Sequence, residues 1–142
     1  MALLNRSSDT RSMRAVARRR EGFTHDVQVR EHSVVVDEPA SSGGDDLGPS
    51  PQELLAASLA SCTAVTMEMY AKRKGWDVSG MAVDCRYTPA ERGVPTRFEL
   101  VITMPAHLEE EQVERLQVIA AKCPVHRTLE GEVAFEERVE LA

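Results

Sequence analysis

Aromatic side chains are scarce in this sequence: one Trp, two Tyr and three Phe, or 4% of 142 residues. A core therefore has to be assembled from Val, Leu, Ile, Met and Ala. Basic residues are outnumbered by acidic ones, 17 to 23, for a net charge of -6. That balance speaks against nucleic acid as the main partner, because phosphate binding wants a basic surface. Long apolar runs are missing too. The uncharged stretch from Leu54 to Met67 falls short of the about 20 residues that span a bilayer, so no membrane partner is expected. The start, MALLNRSSDTRSMRAVARRR, lacks the apolar region of roughly 7–15 residues that a signal peptide carries. Its arginine-rich, acid-poor character also fits a transit peptide or a basic arm. The plainer expectation is a flexible segment over residues 1–13 leading into a first strand. Cysteine numbers only three. An odd count without a secretion signal argues against a disulfide framework and for a reducing cytoplasm.

What remains is enough for one domain, expected over residues 14–142, with a genuine core. The alternation in FTHDVQV and the run SVVVDE predict two strands around a turn at REH, and residues 14–20 add a strand before them. The segment PASSGGDDLGPSP is a loop by its Gly, Pro, Ser and Asp content. A helix then opens at Ser50 as N-cap, with Pro51 at the first helical position and Glu53 completing a capping box. It closes at Lys72, Arg73 and Lys74, followed by Gly75. Between these ends nearly every side is small or apolar, which predicts burial all round. MAVDCRYT and RFELVITM alternate and are joined by PAERGVP, an antiparallel pair. HLEEEQVERLQVIAAKC reads as an amphipathic helix, CPVHRTLEG as a short helical turn, and EVAFEERVEL as a closing strand. Strands in runs between separated helices indicate the α+β class, a mostly antiparallel sheet packed on helices.

The three cysteines carry the chemistry. Cys85 shares the apolar face of a strand with Met81, Val83 and Tyr87, where a thiol serves as a small hydrophobe. Cys62, mid-helix among small residues, fits either packing or reactivity. Cys123 precedes Pro124, which places it at the N-cap of a short helix Pro124–Leu129. There free backbone N–H groups favour the thiolate, unless the residue merely closes the helix before it. CPVH also reads as a metal half-site, Cys123 and His126 with Cys62 as a third ligand. A structural zinc site wants four ligands, and a fourth cysteine is absent. A Cys–His hydrolase, with His126 as base, lacks an oxyanion-type glycine loop beside either cysteine.

The Gly-Gly loop followed by GPSPQELLAASLASCTAV, then KCPVHRTL 61 residues on from cysteine to cysteine, resembles the OsmC/Ohr family. The resemblance covers roughly residues 14–141. It implies an OsmC-like α+β fold, an intertwined homodimer with mostly antiparallel sheets wrapped around two long central helices. It implies a thiol peroxidase that reduces organic hydroperoxides, needs no cofactor or metal and is restored by an external dithiol, of the lipoyl type among others. Cys62 takes the place of the peroxidatic cysteine and Cys123 that of the resolving one. Such a thiol needs a depressed pKa, a greasy approach and a second thiol in reach. The family also uses an arginine in an Arg-acid-Gly turn. REG matches it and gives Arg20, with Arg18 and Arg19 as close alternatives. A family glutamate ten residues before the peroxidatic cysteine orients that arginine, and here the position holds Gln52. Glu53 lies beside it but on the opposite side of the helix from Cys62. Ten helical residues span about 15 Å, so position 52 would serve a partner chain's site. The missing glutamate leaves a second expectation standing: a non-enzymatic relative that binds a small hydrophobic ligand, or senses oxidants, at the dimer cleft.

Overall fold

A computed structural model describes residues 11–142. Of the lead-in over residues 1–13, residues 1–10 lie outside the described ones. The chain divides into two compact units at Leu54/Leu55, inside the first turn of a long helix.

The N-terminal unit is a three-stranded antiparallel sheet. Strands β1 (Val16–Glu21), β2 (Thr24–Val29) and β3 (His32–Val36) pair in the order β1-β2-β3. The β2–β3 hairpin turns through Arg30, whose φ of 53° is the left-handed conformation a two-residue turn demands. After β3 the chain folds into a glycine-rich loop anchored on Asp37, which is buried. Its carboxylate accepts a hydrogen bond of 2.8 Å from the Thr24 hydroxyl and bonds of 2.7 and 3.3 Å from the amides of Glu38 and Leu47. Burial works against the charge of Asp37, but these donors and the Asp45 amide outweigh it and hold the carboxyl below its usual range. Gly44 and Gly48 admit no side chain: a Cβ there would stand 2.0 Å from the Glu38 carbonyl oxygen and 2.1 Å from that of Val35.

Helix α1 (Pro51–Lys74) begins and ends where the sequence signals lie. The Ser50 amide donates to Glu53 Oε1 at 3.0 Å, and the Glu53 amide donates to Ser50 Oγ at 3.2 Å, a reciprocal capping box. At the other end Gly75 adopts φ 72°, its amide bonding the Lys72 carbonyl while Trp76 N–H reaches back to Ala71. Those two bonds make a Schellman closure. By length and composition alone α1 could cross a bilayer, as many core helices could.

The C-terminal unit packs the body of α1 with a β-hairpin and two further helices. Strands β4 (Ala82–Thr88) and β5 (Arg97–Thr103) pair antiparallel, with Cys85 opposite Leu100 and Tyr87 opposite Phe98. Val83, Cys85 and Tyr87 alternate with exposed neighbours, as do Phe98, Leu100 and Ile102. Helix α2 (Glu110–Ala120) starts in a capping box of Glu109 and Gln112. Helix α3 (Pro124–Glu130) starts at Cys123, as expected from Pro124. The core unites Met67 and Ala71 of α1 with Val78, Leu116 and Ala120.

Two expectations do not hold within the chain. Helix α1 is not buried all round: Leu59, Thr63, Met67 and Ala71 form one buried stripe, while Val65 and Met69 are 51% and 64% exposed. Four-residue spacing puts those buried side chains on one face, and nothing within the unit covers the opposite one. The closing strand over EVAFEERVEL is also absent, for residues 132–142 take no regular structure. A strand requires a second backbone to receive its N–H and C=O groups, and none of the described strands pairs with this segment.

Candidate redox site

Cys62 and Cys123 come together in the C-terminal unit. Cys62 rides on α1 immediately before the buried Thr63 and is half-buried. Cys123 is the N-cap of α3 and has 0% exposure. The two thiols share a hydrogen bond although 61 positions separate them (123 − 62). Both are free thiols in this structure.

Their ionisation is unequal, and the direction differs from the depressed pKa expected at Cys62. Burial pushes the Cys62 thiol up, and its hydrogen bond and charge interaction with Cys123 push it further, against weaker help from the Val125 amide and the Thr66 hydroxyl. Burial also opposes the Cys123 thiolate. There, however, hydrogen bonding from Cys62, from the amides of His126 and Val125 and from Thr63 prevails, so its pKa falls below the ordinary thiol value. These amides sit at the start of α3, near the sulfur but outside capping geometry. Cys123 is thus the more readily ionised of the two thiols, and the first proton loss belongs to the pair.

The remaining candidates belong to the N-terminal unit. Arg20 on β1 is paired with Asp26 on β2, its Nε donating to Asp26 Oδ2 at 3.2 Å. That hydrogen bond and the attraction between the charges raise the guanidinium pKa and lower the carboxyl. Arg18 and Arg19 are exposed on the same strand. Gln52 is exposed, in the first turn of α1. Glu53 is engaged in the capping box, and its hydrogen bonds with Ser50 hold its carboxyl below the usual value.

Cys85 stays on the half-buried face of β4, where burial and then the charge of Asp84 raise its pKa, as befits a packing thiol. His126 pairs instead with Glu130, Nε2 to Oε1 at 2.8 Å across one turn of α3. The i,i+4 spacing of HRTLE is the signal for that pair. The hydroxyls of Thr63 and Thr66 beside the sulfurs carry no such signal, since their role depends on which helix faces α1. Among the described residues, no three His, Cys, Asp or Glu side chains converge as metal ligands.

Residues 43–138, about two thirds of the chain, match the family model described as OsmC-like protein. The chain belongs to the OsmC-like family. No curated protein matches it. Several solved structures share its fold. An OsmC-like protein from Mycoplasma pneumoniae superposes with a TM-score of 0.71 at 17% identity, covering 84% of this chain and 88% of its own. A Psychrobacter arcticus protein named for an osmotic stress and detoxification response gives 0.70 at 22% identity, covering 80% and 85%. The organic hydroperoxide resistance protein OhrB of Bacillus subtilis gives 0.58 at 20% identity, covering 84% and 91%. The OsmC-like fold, α+β with antiparallel strands, is thereby shown for this chain.

Proposed function

We propose that this OsmC-like protein is a thiol-dependent peroxidase that reduces organic hydroperoxides to alcohols through Cys62 and Cys123. The observation that carries the reading is the hydrogen bond between these two thiols, which puts the sulfurs near enough for a disulfide to be formed with little movement. Accessibility selects Cys62 as the nucleophile, because Cys123 is wholly covered. In the first step the Cys62 proton passes to Cys123, and the Cys62 thiolate attacks the terminal peroxide oxygen. An S–O bond forms, the O–O bond breaks, and the alkoxide leaves as alcohol with the proton from Cys123. The Cys123 thiolate then attacks the sulfenic sulfur, forming S–S and expelling hydroxide, which takes a solvent proton and leaves as water. An external dithiol returns two electrons and two protons, one of which is released again as the Cys62 thiol and Cys123 thiolate re-form.

A homodimer in the cytoplasm is part of this reading. Along the C-terminal segment Val133, Phe135, Val139 and Leu141 fall at odd-numbered positions and are exposed, Phe135 by 83% and Val139 by 89%. Together with the bare face of α1 this is the surface a second copy would cover. Arg20 and Gln52 are proposed to serve the thiolate in that assembly. The substitution of Gln52 for the family's glutamate favours the second reading, a ligand binder or oxidant sensor that reacts once per chain. Steady-state consumption of tert-butyl or cumene hydroperoxide with dihydrolipoamide tests both. Many turnovers, lost in Cys62→Ser, support the peroxidase; equal consumption by wild type and Cys62→Ser removes it.

A further inference from the structure

A cleft of about 580 Å3 lies in the C-terminal unit, and neither cysteine of the pair is among its lining residues. One wall is α1, through Leu55 and Leu59, and another is α3, through His126, Leu129 and Glu130. Its floor is the β4–β5 hairpin, where Tyr87, Phe98 and Leu100 face it. The Tyr87 and Phe98 rings stack at 4.8 Å with 12° between their planes. Those rings account for two of only six aromatic residues in the chain.

The cleft runs toward the sulfurs. On α1, Leu55, Leu59 and Cys62 recur at i, i+4 and i+7, one face of the helix. On α3, Cys123, His126 and Leu129 recur at i, i+3 and i+6. Leu59 and His126 thus stand within about one turn, roughly 5 Å of rise, of their respective cysteines. Since the two thiols are hydrogen-bonded, the two rows converge at the same end.

We infer that this cleft seats the organic group of the hydroperoxide and selects for one bearing a planar aromatic ring. This deepens the peroxidase reading and rests on it. The apolar walls take a hydrocarbon body, the stacked pair offers a flat flank to a ring, and Thr96, His126 and Glu130 give one polar rim. The peroxide end of a ligand lying in the cleft would point to the Cys62 end.

The test compares cumene with tert-butyl hydroperoxide, using dithiothreitol as reductant. In the wild type the ratio of kcat/KM, cumene over tert-butyl, is expected to exceed about ten. In Phe98→Leu it falls about threefold to tenfold, the discrimination an aromatic contact supplies. Leu129→Phe, which narrows the cleft from the helix side, lowers the ratio as well and serves if Phe98→Leu does not fold. A ratio near one in the wild type, or one unchanged in the folded variants, overturns the proposal. A binding arm uses cumyl alcohol and tert-butanol with Cys62→Ser protein, read by amide shifts. Perturbation of Tyr87, Phe98 and Leu129 by cumyl alcohol alone supports the cleft even without turnover, in which case only the peroxidase reading falls. No perturbation at those residues overturns the cleft.

Discussion

Oxidising the thiol pair should stabilise the protein by an amount the chain connectivity sets. A Cys62–Cys123 bond closes a loop of 61 residues (123 − 62). Loop-closure entropy for that length is about 14 cal/mol/K, or about 4 kcal/mol at room temperature, taken from the unfolded state. The chain has 142 residues. An unfolding entropy of about 2.1 cal/mol/K per residue then makes that up to about 14 °C in Tm. Strain would subtract from it, but the hydrogen bond between the thiols keeps the required movement small. The assay is thermal unfolding of protein oxidised with one equivalent of cumene hydroperoxide, against the same sample reduced. Cys123→Ser serves as control and should show no gain. A Tm that is unchanged or lower in the oxidised wild type, with the mass change of a disulfide confirmed, would refute the placement of the sulfurs.

Further outcomes follow from local chemistry. Cys62→Ala should raise the pKa of Cys123, which loses the hydrogen bond that lowers it, whereas Cys123→Ala should lower that of Cys62; thiolate absorbance near 240 nm against pH reads both, and shifts of the same sign would contradict the coupling. Asp37 has a lowered folded pKa, so the stability it contributes is present above the unfolded carboxylate value near 3.9 and is lost as pH falls through the folded value. Asp37→Asn should therefore cost about 1–3 kcal/mol near neutrality in urea unfolding and flatten the acid limb; an unchanged acid limb would count against it. Ser50→Ala should cost about 1 kcal/mol by breaking the capping box, while Ser50→Asp should retain most of it, both read by the same melts.

Where the sequence is legible, the signal is local. Ser50, Glu53 and Gly75 mark the ends of α1 because each satisfies backbone groups within a turn of itself. Pro124 marks the start of α3 through its own fixed backbone angle and missing N–H, and Cys123 falls at the N-cap as a direct consequence. Strand β2 and the β4–β5 hairpin are readable from their alternation. What the sequence conceals depends on surroundings. Residues 132–142 have the pattern of a strand, yet a pattern does not supply the second backbone. The apolar girth of α1 reads as burial, yet one unit covers only the Leu59–Ala71 stripe. The ionisation of the pair is the least legible feature. Cys62 and Cys123 differ in pKa because the Val125 and His126 amides of α3 and the hydroxyls on α1 are shared unequally between sulfurs 61 residues apart (123 − 62).

The most direct measurement is a peptide map, under non-reducing conditions, of protein treated with one equivalent of cumene hydroperoxide. A single cross-linked species joining the Cys62 and Cys123 peptides is expected, with Cys85 still a free thiol. Recovery of all three cysteines unoxidised, or of a bond that includes Cys85, would contradict this.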